Sequence, residues 1–200
     1  MDKLQINVAT YVEATEAEGP GKRFALWVQG CPLRCPECCN PEMLEFEDRD
    51  WTDVDTVAAW VLASADKNGI EGVSFLGGEP FSQAAALGAL AAQVRAHGLT
   101  VMVYTGFTLE SLRKRGDAGV DDLLSQTDLL VDGPFVASRP DRERRWIGSL
   151  NQRGLALTEA YQDLAQDWDK SPDTVEVRIT KDGRLLVNGS PYLLSKLGRM

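Results

Sequence analysis

Hydrophobic and polar positions along this chain alternate between two rhythms, and the rhythms mark its elements. Four short runs are almost wholly apolar: Phe24-Ala25-Leu26-Trp27-Val28, Val73-Ser74-Phe75-Leu76, Thr100-Val101-Met102-Val103-Tyr104 and Asp128-Leu129-Leu130-Val131-Asp132. Runs of this length without alternation predict strands buried on both faces of a parallel sheet. Between them the apolar positions recur at helical spacing. One helix is predicted from a cap at Thr52, with Asp55 three residues on, and carries a stripe of Val54, Val57, Ala58, Val61, Leu62 and Ala65 to an end near Gly69. A second runs from a cap at Ser82 through Leu87, Leu90, Ala91 and Val94 to Gly98, where glycine suits a C-terminal stop. A third starts at Thr108 and ends near Gly116, followed by a short helix through Val120, Leu123 and Leu124.

Strands and helices in this order define an α/β fold of βαβ units on a parallel sheet. A closed eight-fold barrel takes about 250 residues, so 200 residues with fewer units predict an open, partial barrel. The C-terminal part changes style. Residues 174–179 alternate Val175, Val177 and Ile179 with Glu176 and Arg178, then Asp182-Gly183 and Leu185-Leu186-Val187 follow, which predicts a hairpin. Residues 166–172 read as a polar connection. The expectation is one domain, with a core over about residues 5–155 and a hairpin and tail over 170–200.

Composition adds limits. With 44% hydrophobic and 26% charged residues the chain can bury an ordinary globular core, and its net charge of −9 argues against general affinity for nucleic acid or an anionic membrane. No apolar run approaches the roughly 20 residues that span a bilayer, and the first residues lack a basic-then-apolar leader, so the expected location is the cytoplasm. All four cysteines fall between positions 31 and 39, too close together to staple distant parts of a fold. Clustered thiols in a reducing compartment point to metal.

Cys31, Cys35 and Cys38 are spaced C-x3-C-x2-C. Three thiolates can hold three irons of a four-iron cluster and leave the fourth open to a small molecule. The alternative is a structural zinc site, which takes four protein ligands; the fourth would be Cys39, next to Cys38, or His97, the single histidine. In a parallel α/β sheet, ligands bind in the loops after the strands. The cysteine loop follows the first run, Gly77-Gly78-Glu79-Pro80 the second, Thr105-Gly106 the third and Gly133-Pro134-Phe135 the fourth, so four strand ends are expected at one site. Gly-Gly after a strand can be only a tight turn; beside an open iron, it lets a ligand approach the backbone, and a carboxylate suits an ammonium group. Arg139, Arg142, Arg144 and Arg145 precede Trp146 and residues 147–153; that stretch is either a solvated loop or a segment that closes on substrate or docks a partner.

These motifs together resemble the radical S-adenosylmethionine enzymes, and within them the small glycyl-radical activating proteins. The resemblance rests on the cysteine triad, Gly77 to Pro80, Gly19-Pro20-Gly21 with Arg23, Gln29-Gly30-Cys31, Asn40-Pro41, Tyr104-Thr105-Gly106, Val131 to Phe135, and Gly148-Ser149 with Asn151-Gln152-Arg153. It covers about residues 5–155. Glu37 stands where glycine, tyrosine or tryptophan is common, and Cys39 where histidine or an aromatic residue is usual. The resemblance implies a partial barrel of the radical S-adenosylmethionine type, with Cys31, Cys35 and Cys38 ligating a [4Fe–4S] cluster. It implies that S-adenosylmethionine is cleaved there to a 5′-deoxyadenosyl radical that takes hydrogen from a glycine of a partner enzyme. Glu37, Cys39 and Asn40 would lie near the nucleoside, Gly77, Gly78, Glu79 and Pro80 at the methionine end, and Thr105 and Asp132 at the ribose or carboxylate. The implied partners are a glycyl-radical enzyme, first an anaerobic ribonucleotide reductase, and flavodoxin or ferredoxin as electron donor. Two other readings stay open: a radical enzyme acting on a small molecule or peptide, and a non-catalytic iron or zinc module.

Overall fold

The computed structural model describes residues 3–179, 183 and 185–197. Its centre is four parallel strands: β2 (Arg23–Val28), β4 (Gly72–Gly77), β5 (Thr100–Tyr104) and β6 (Leu129–Asp132) pair in that order. All four predicted strands are present. The edges differ from the expected all-parallel sheet, because three strands that their polar content concealed pair antiparallel there. β1 (Gln5–Thr15) lies against β2, β3 (Trp51–Asp53) against β1, and β7 (Arg153–Ala156) against β6, giving the order β3-β1-β2-β4-β5-β6-β7.

Helices cover one face of this sheet. From β2, Phe24, Leu26 and Val28 point to that face; β4 contributes Val73 and Phe75, β5 Val101 and Val103, and β6 Leu130. Against them pack Val57 and Val61 of α1 (Val54–Asn68), Leu87, Leu90 and Val94 of α2 (Ala84–Ala96), and Val120 and Leu123 of α4 (Ala118–Gln126). Each fully buried side chain of this size contributes about 1.5–3 kcal/mol through removal from water. Small residues let α2 and α4 approach: a Cβ on Gly88 would stand 3.2 Å from the Leu123 nitrogen.

Helix starts differ in detail from expectation. Thr52 belongs to β3 and its hydroxyl donates to Asp50, so Asp53 takes the N-cap position of α1, without a side-chain capping bond. The stop at Gly69 is left-handed, φ +64°, as its glycine suits. Ser82 sits inside a 3₁₀ turn (Pro80–Gln83) capped by Glu79, and α2 begins only afterwards. Thr108 does cap α3 (Leu109–Arg113), accepting from the Ser111 amide, and Asp117 caps α4 in the same way through Gly119 and Val120. His97 ends α2 with its ring nitrogen against the Gln93 carbonyl.

After β7, the helix α5 (Gln162–Gln166) leads into the expected polar connection, which has an apolar anchor: Trp168 is buried and its indole N–H donates to the Arg145 carbonyl at 2.7 Å. The hairpin is present as β8 (Val175–Ile179) and β9 (Leu185–Gly189), followed by α6 (Pro191–Leu197). Asp182, assigned to its turn, lies outside the described residues. Among the described residues no helix is long and apolar enough to cross a membrane.

Candidate iron–sulfur and cofactor site

On the opposite face of the sheet Met102, Leu129 and Val131 pack under Ile147, Trp168 and Leu164 of α5, and the rest of that face lines a cavity of about 310 Å³. Trp27, Leu76 and Tyr104 reach it from β2, β4 and β5, Thr10 to Val12 from β1, and the C-terminal hairpin closes it with Leu186 to Ser190. Because the central strands run parallel, their carboxyl ends share one rim, and loops from all four reach the cavity: Cys31, Cys35 and Cys38, Gly77 to Pro80, Thr105 and Gly106, and Gly133 with Phe135.

The cysteine loop is wound tightly. Gly30, Arg34 and Glu37 all have positive φ, at 94°, 47° and 56°. The returning chain zips against it, with the Gly30 and Cys31 amides donating to the Met43 and Leu44 carbonyls at 3.0 Å each. Arg34 and Glu45 form a two-pronged pair at 2.7 Å across the loop; both are exposed, so the pair contributes little stability.

All four cysteines are free thiols. Burial raises the Cys31 and Cys35 thiols, yet backbone N–H groups oppose this, those of Leu33 and Arg34 at Cys31 and that of Phe135 at Cys35. The Asn40 amide approaches the Cys38 sulfur at 3.5 Å. Cys38 is held down at about 6, chiefly by a hydrogen bond from the Cys39 thiol, which is itself raised by the same bond. Each sulfur of the triad therefore has a donor that favours the thiolate, the form that ligates iron. Among the described residues no three His, Cys, Asp or Glu side chains meet at a position for one ion. Three donor-assisted thiols around one roomy cavity fit a cluster held by one thiolate per iron. Cys39 lines the cavity and bonds to Cys38 through its thiol.

The diglycine meets a different neighbour from the one its sequence suggested. A Cβ on Gly78 would stand 2.3 Å from the Gly30 carbonyl oxygen, and one on Gly77 2.3 Å from the Val28 nitrogen. The glycines let the turn after β4 lie directly on the cysteine loop, fixed by bonds from the Gly78 amide to Val28 at 2.7 Å and from the Glu79 amide to Gly30 at 2.9 Å. Glu79 is only 1% exposed and accepts from the Phe81 amide, the Thr105 hydroxyl and the Gly106 amide, each at 2.9 Å. Burial pushes it up to about 7 despite these donors. The carboxylate thus ties the rim of β4 to that of β5, and Thr105 serves it.

Pro80 and Asn40 line the cavity. Two expected contacts are elsewhere. Glu37 is exposed and outside the cavity wall. Asp132 is fully buried and outside it too, accepting from the Leu109 amide at 2.8 Å and from Arg153 through both Nε, at 2.8 Å, and Nη2. It fastens β6 to α3 and β7. In the arginine segment Arg139 and Arg142 are exposed, while Arg144 pairs with buried Asp141 and Arg145 with Asp169.

Sequence reasoning missed Glu18. It is buried in the cavity wall, accepts from Asn188 of β9 at 3.1 Å, and burial raises it to about 7. Its position immediately before Gly19-Pro20-Gly21 was the available signal. Arg23, noted only as part of the resemblance, is 0% exposed and donates to Ser74, Val73, Pro20, Thr100 and Tyr161, locking β2, β4 and β5 behind the cavity.

An α/β sheet whose parallel rim carries three thiols around a cavity is the framework of an iron–sulfur enzyme. Residues 17–155 match the model of the 4Fe-4S single cluster domain, and the chain belongs to that family, as a radical S-adenosylmethionine enzyme of the glycyl-radical activating type. It is 30% identical over 158 residues to the anaerobic ribonucleoside-triphosphate reductase-activating protein of Salmonella typhi, covering 71% of this chain and 93% of that one. The protein of the same name from Vibrio cholerae is 30% identical over 163 residues, 74% of this chain and 96% of its own. The pyruvate formate-lyase-activating enzyme of Staphylococcus aureus strain USA300 is 30% identical over 155 residues, 74% of this chain and 60% of that one.

Proposed function

We propose that this chain installs a glycyl radical on an anaerobic ribonucleotide reductase, using S-adenosylmethionine and a [4Fe–4S] cluster bound in the thiol-lined cavity. The observation that carries the reading is the meeting of the three thiols Cys31, Cys35 and Cys38 and the diglycine turn on one rim. The reductase is chosen as partner because the relatives named for its activation are covered almost to their full length, whereas the formate-lyase activator is covered to 60%.

Cys31, Cys35 and Cys38 would hold the cluster, and Gly77 to Pro80 the methionine end of the cosubstrate. When bound, the pair supplies reductive cleavage of a carbon–sulfur bond and a radical able to take hydrogen from glycine. The residues around it position and shield. Glu79, with three donors already on its oxygens, gains further preference for the ionised form when a cationic amino group enters beside it. Trp27, Leu76 and Tyr104 exclude water from the inner wall. Cys39 and Asn40 line the nucleoside side. The four parallel strands in sequence-ordered βαβ succession, with their carboxyl ends on one cavity rim, support a partial barrel. We place the reaction in the cytoplasm, where thiols stay reduced, with a flavodoxin or ferredoxin as electron donor.

The test is anaerobic reconstitution with iron and sulfide analysis, then dithionite and S-adenosylmethionine, then addition of the reductase. The expected results are about four irons per chain, formation of 5′-deoxyadenosine, and a glycyl signal on the reductase in electron paramagnetic resonance. Fully loaded protein that forms no 5′-deoxyadenosine defeats the catalytic reading.

A further inference from the structure

The C-terminal hairpin is mounted inside out. Its register sets Val175, Val177 and Ile179 of β8 beside Gly189, Val187 and Leu185 of β9 on one face, and Glu176 and Arg178 beside Asn188 and Leu186 on the other. A two-stranded sheet of this composition ordinarily turns its apolar face to the body of the protein. Here the polar face is the one turned inward. The Glu16 amide donates to Glu176 at 2.8 Å, Arg178 donates to the Ala14 carbonyl at 2.7 Å, and Asn188 donates to Thr15 and Glu18 at 3.1 Å each. These bonds to the end of β1 and the turn after it fix the orientation and leave Val177 54%, Ile179 74% and Leu185 47% exposed.

We propose that this apolar face is a docking surface for the glycine-bearing partner enzyme. The inference rests on the functional reading above. Position argues for that occupant: Val187, on the same face, and the neighbouring Gly189 are part of the cavity wall, so the apolar strip runs from solvent to the place where a glycine must enter. Size argues against a second copy of this chain held by the strip alone, since five side chains fall well short of the roughly 20–30 residues a side of a stable interface. A partner that also fills the cavity mouth makes up the difference. Among its described residues the face carries no charged side chain, so the matching surface beside the partner's glycine is apolar. The hairpin lies beyond the residues that match the family domain, 17–155, so it adds a partner-reading element to a shared catalytic core.

The test is the double variant Val177→Thr/Ile179→Thr, which keeps the branched shape suited to a strand and removes apolar surface from solvent-exposed positions. Reconstituted wild type and variant are titrated with the glycine-bearing subunit of the anaerobic ribonucleotide reductase, and partner-free 5′-deoxyadenosine formation with dithionite is measured on the same samples. Docking through this face predicts association weakened about tenfold, with partner-free turnover and melting temperature unchanged. Equal affinity of the two proteins overturns the proposal. So does a wild type that is a dimer by light scattering and a variant that is a monomer, since the face then joins two copies. Wild type that makes 5′-deoxyadenosine without binding the reductase refutes the docking face alone, whereas wild type that binds the reductase through this face but makes none refutes the functional reading and leaves the surface standing.

Discussion

The two faces of the central sheet were built under different demands. Toward the helices, the side chains are apolar, fully buried and unbroken from Phe24 through Phe75 and Val101 to Leu130. Toward the cavity, the same strands carry Arg23, Ser74 and Tyr104 among Trp27, Leu76 and Met102, and the rim adds Glu79 and Thr105 at almost no exposure. Buried polar groups are tolerated only when hydrogen-bonded, and the pairs at the centre are: Ser74 accepts from Arg23 and donates to the Glu18 carbonyl at 2.7 Å, while Glu79 takes three donors. The contrast teaches that stability is concentrated on one face, which leaves the other free to hold strained turns, ionisable groups and a cofactor-sized space.

The largest expected effect breaks the contrast from the stable side. Phe75→Ala, at a fully buried position of the helix-facing core, is expected to cost about 3–5 kcal/mol in urea unfolding. On the rim of the opposite face, Cys35→Ala should leave the unfolding midpoint nearly unchanged while iron per chain falls after reconstitution. Equal loss of stability from both would show that the faces do not divide the labour.

Asp132 lies where the two demands meet. Asp132→Ala strands the buried Leu109 amide and removes the acceptor of Arg153, so about 2 kcal/mol of stability should be lost. Arg153 is 44% exposed at its side chain and recovers solvation, which keeps the effect below that of the core substitution. A null effect on stability, with loss of S-adenosylmethionine binding instead, would return Asp132 to the ligand site.

Gly78→Ala sharpens the comparison at the rim. Its new Cβ would collide with the Gly30 and Met43 carbonyl oxygens, at 2.3 and 2.7 Å, and backbone must move to admit it. The expected cost is about 1–3 kcal/mol, together with reduced iron uptake because the cysteine loop is what shifts. Wild-type iron content in this variant would show that the diglycine does not set the loop.

The last prediction is a pH slope. Glu18 and Glu79 are raised from 4.5 to about 7 in the folded protein, chiefly by burial. Between those values the folded chain holds protons that the unfolded chain has released, so these groups make stability fall as pH rises from about 4.5 to 7, then level off. Melting of the cluster-free protein should follow that course, and Glu79→Gln should flatten it. An unchanged slope in the variant would remove Glu79 as its source.

The helix-facing half of this protein was legible because burial on both sides of a strand and at 3.6-residue spacing is written locally. Val57 and Val61, or Leu87, Leu90 and Val94, declare their face without knowledge of the rest of the chain. The cysteine spacing and the turns after the four central strands are local in the same sense, and they sufficed to bring Cys31, Cys35, Cys38, Gly77, Gly78, Glu79 and Thr105 to one cavity. Strand β1 was concealed because its neighbour β3 is 36 or more residues away and its outer positions are polar. The bonds that Asp132 makes were not legible because its partners, Leu109 and Arg153, lie 23 and 21 residues off in opposite directions.

By itself, then, the sequence determined which runs are buried, which turns end the central strands and which sulfurs share one loop. The tertiary structure alone decided that Glu18 reaches the cavity, that the diglycine presses on the cysteine loop and that the hairpin turns its polar face inward. Burial period and turn chemistry are properties of neighbouring residues, whereas hydrogen-bond partners and the side from which an element docks depend on chain segments that only folding brings together.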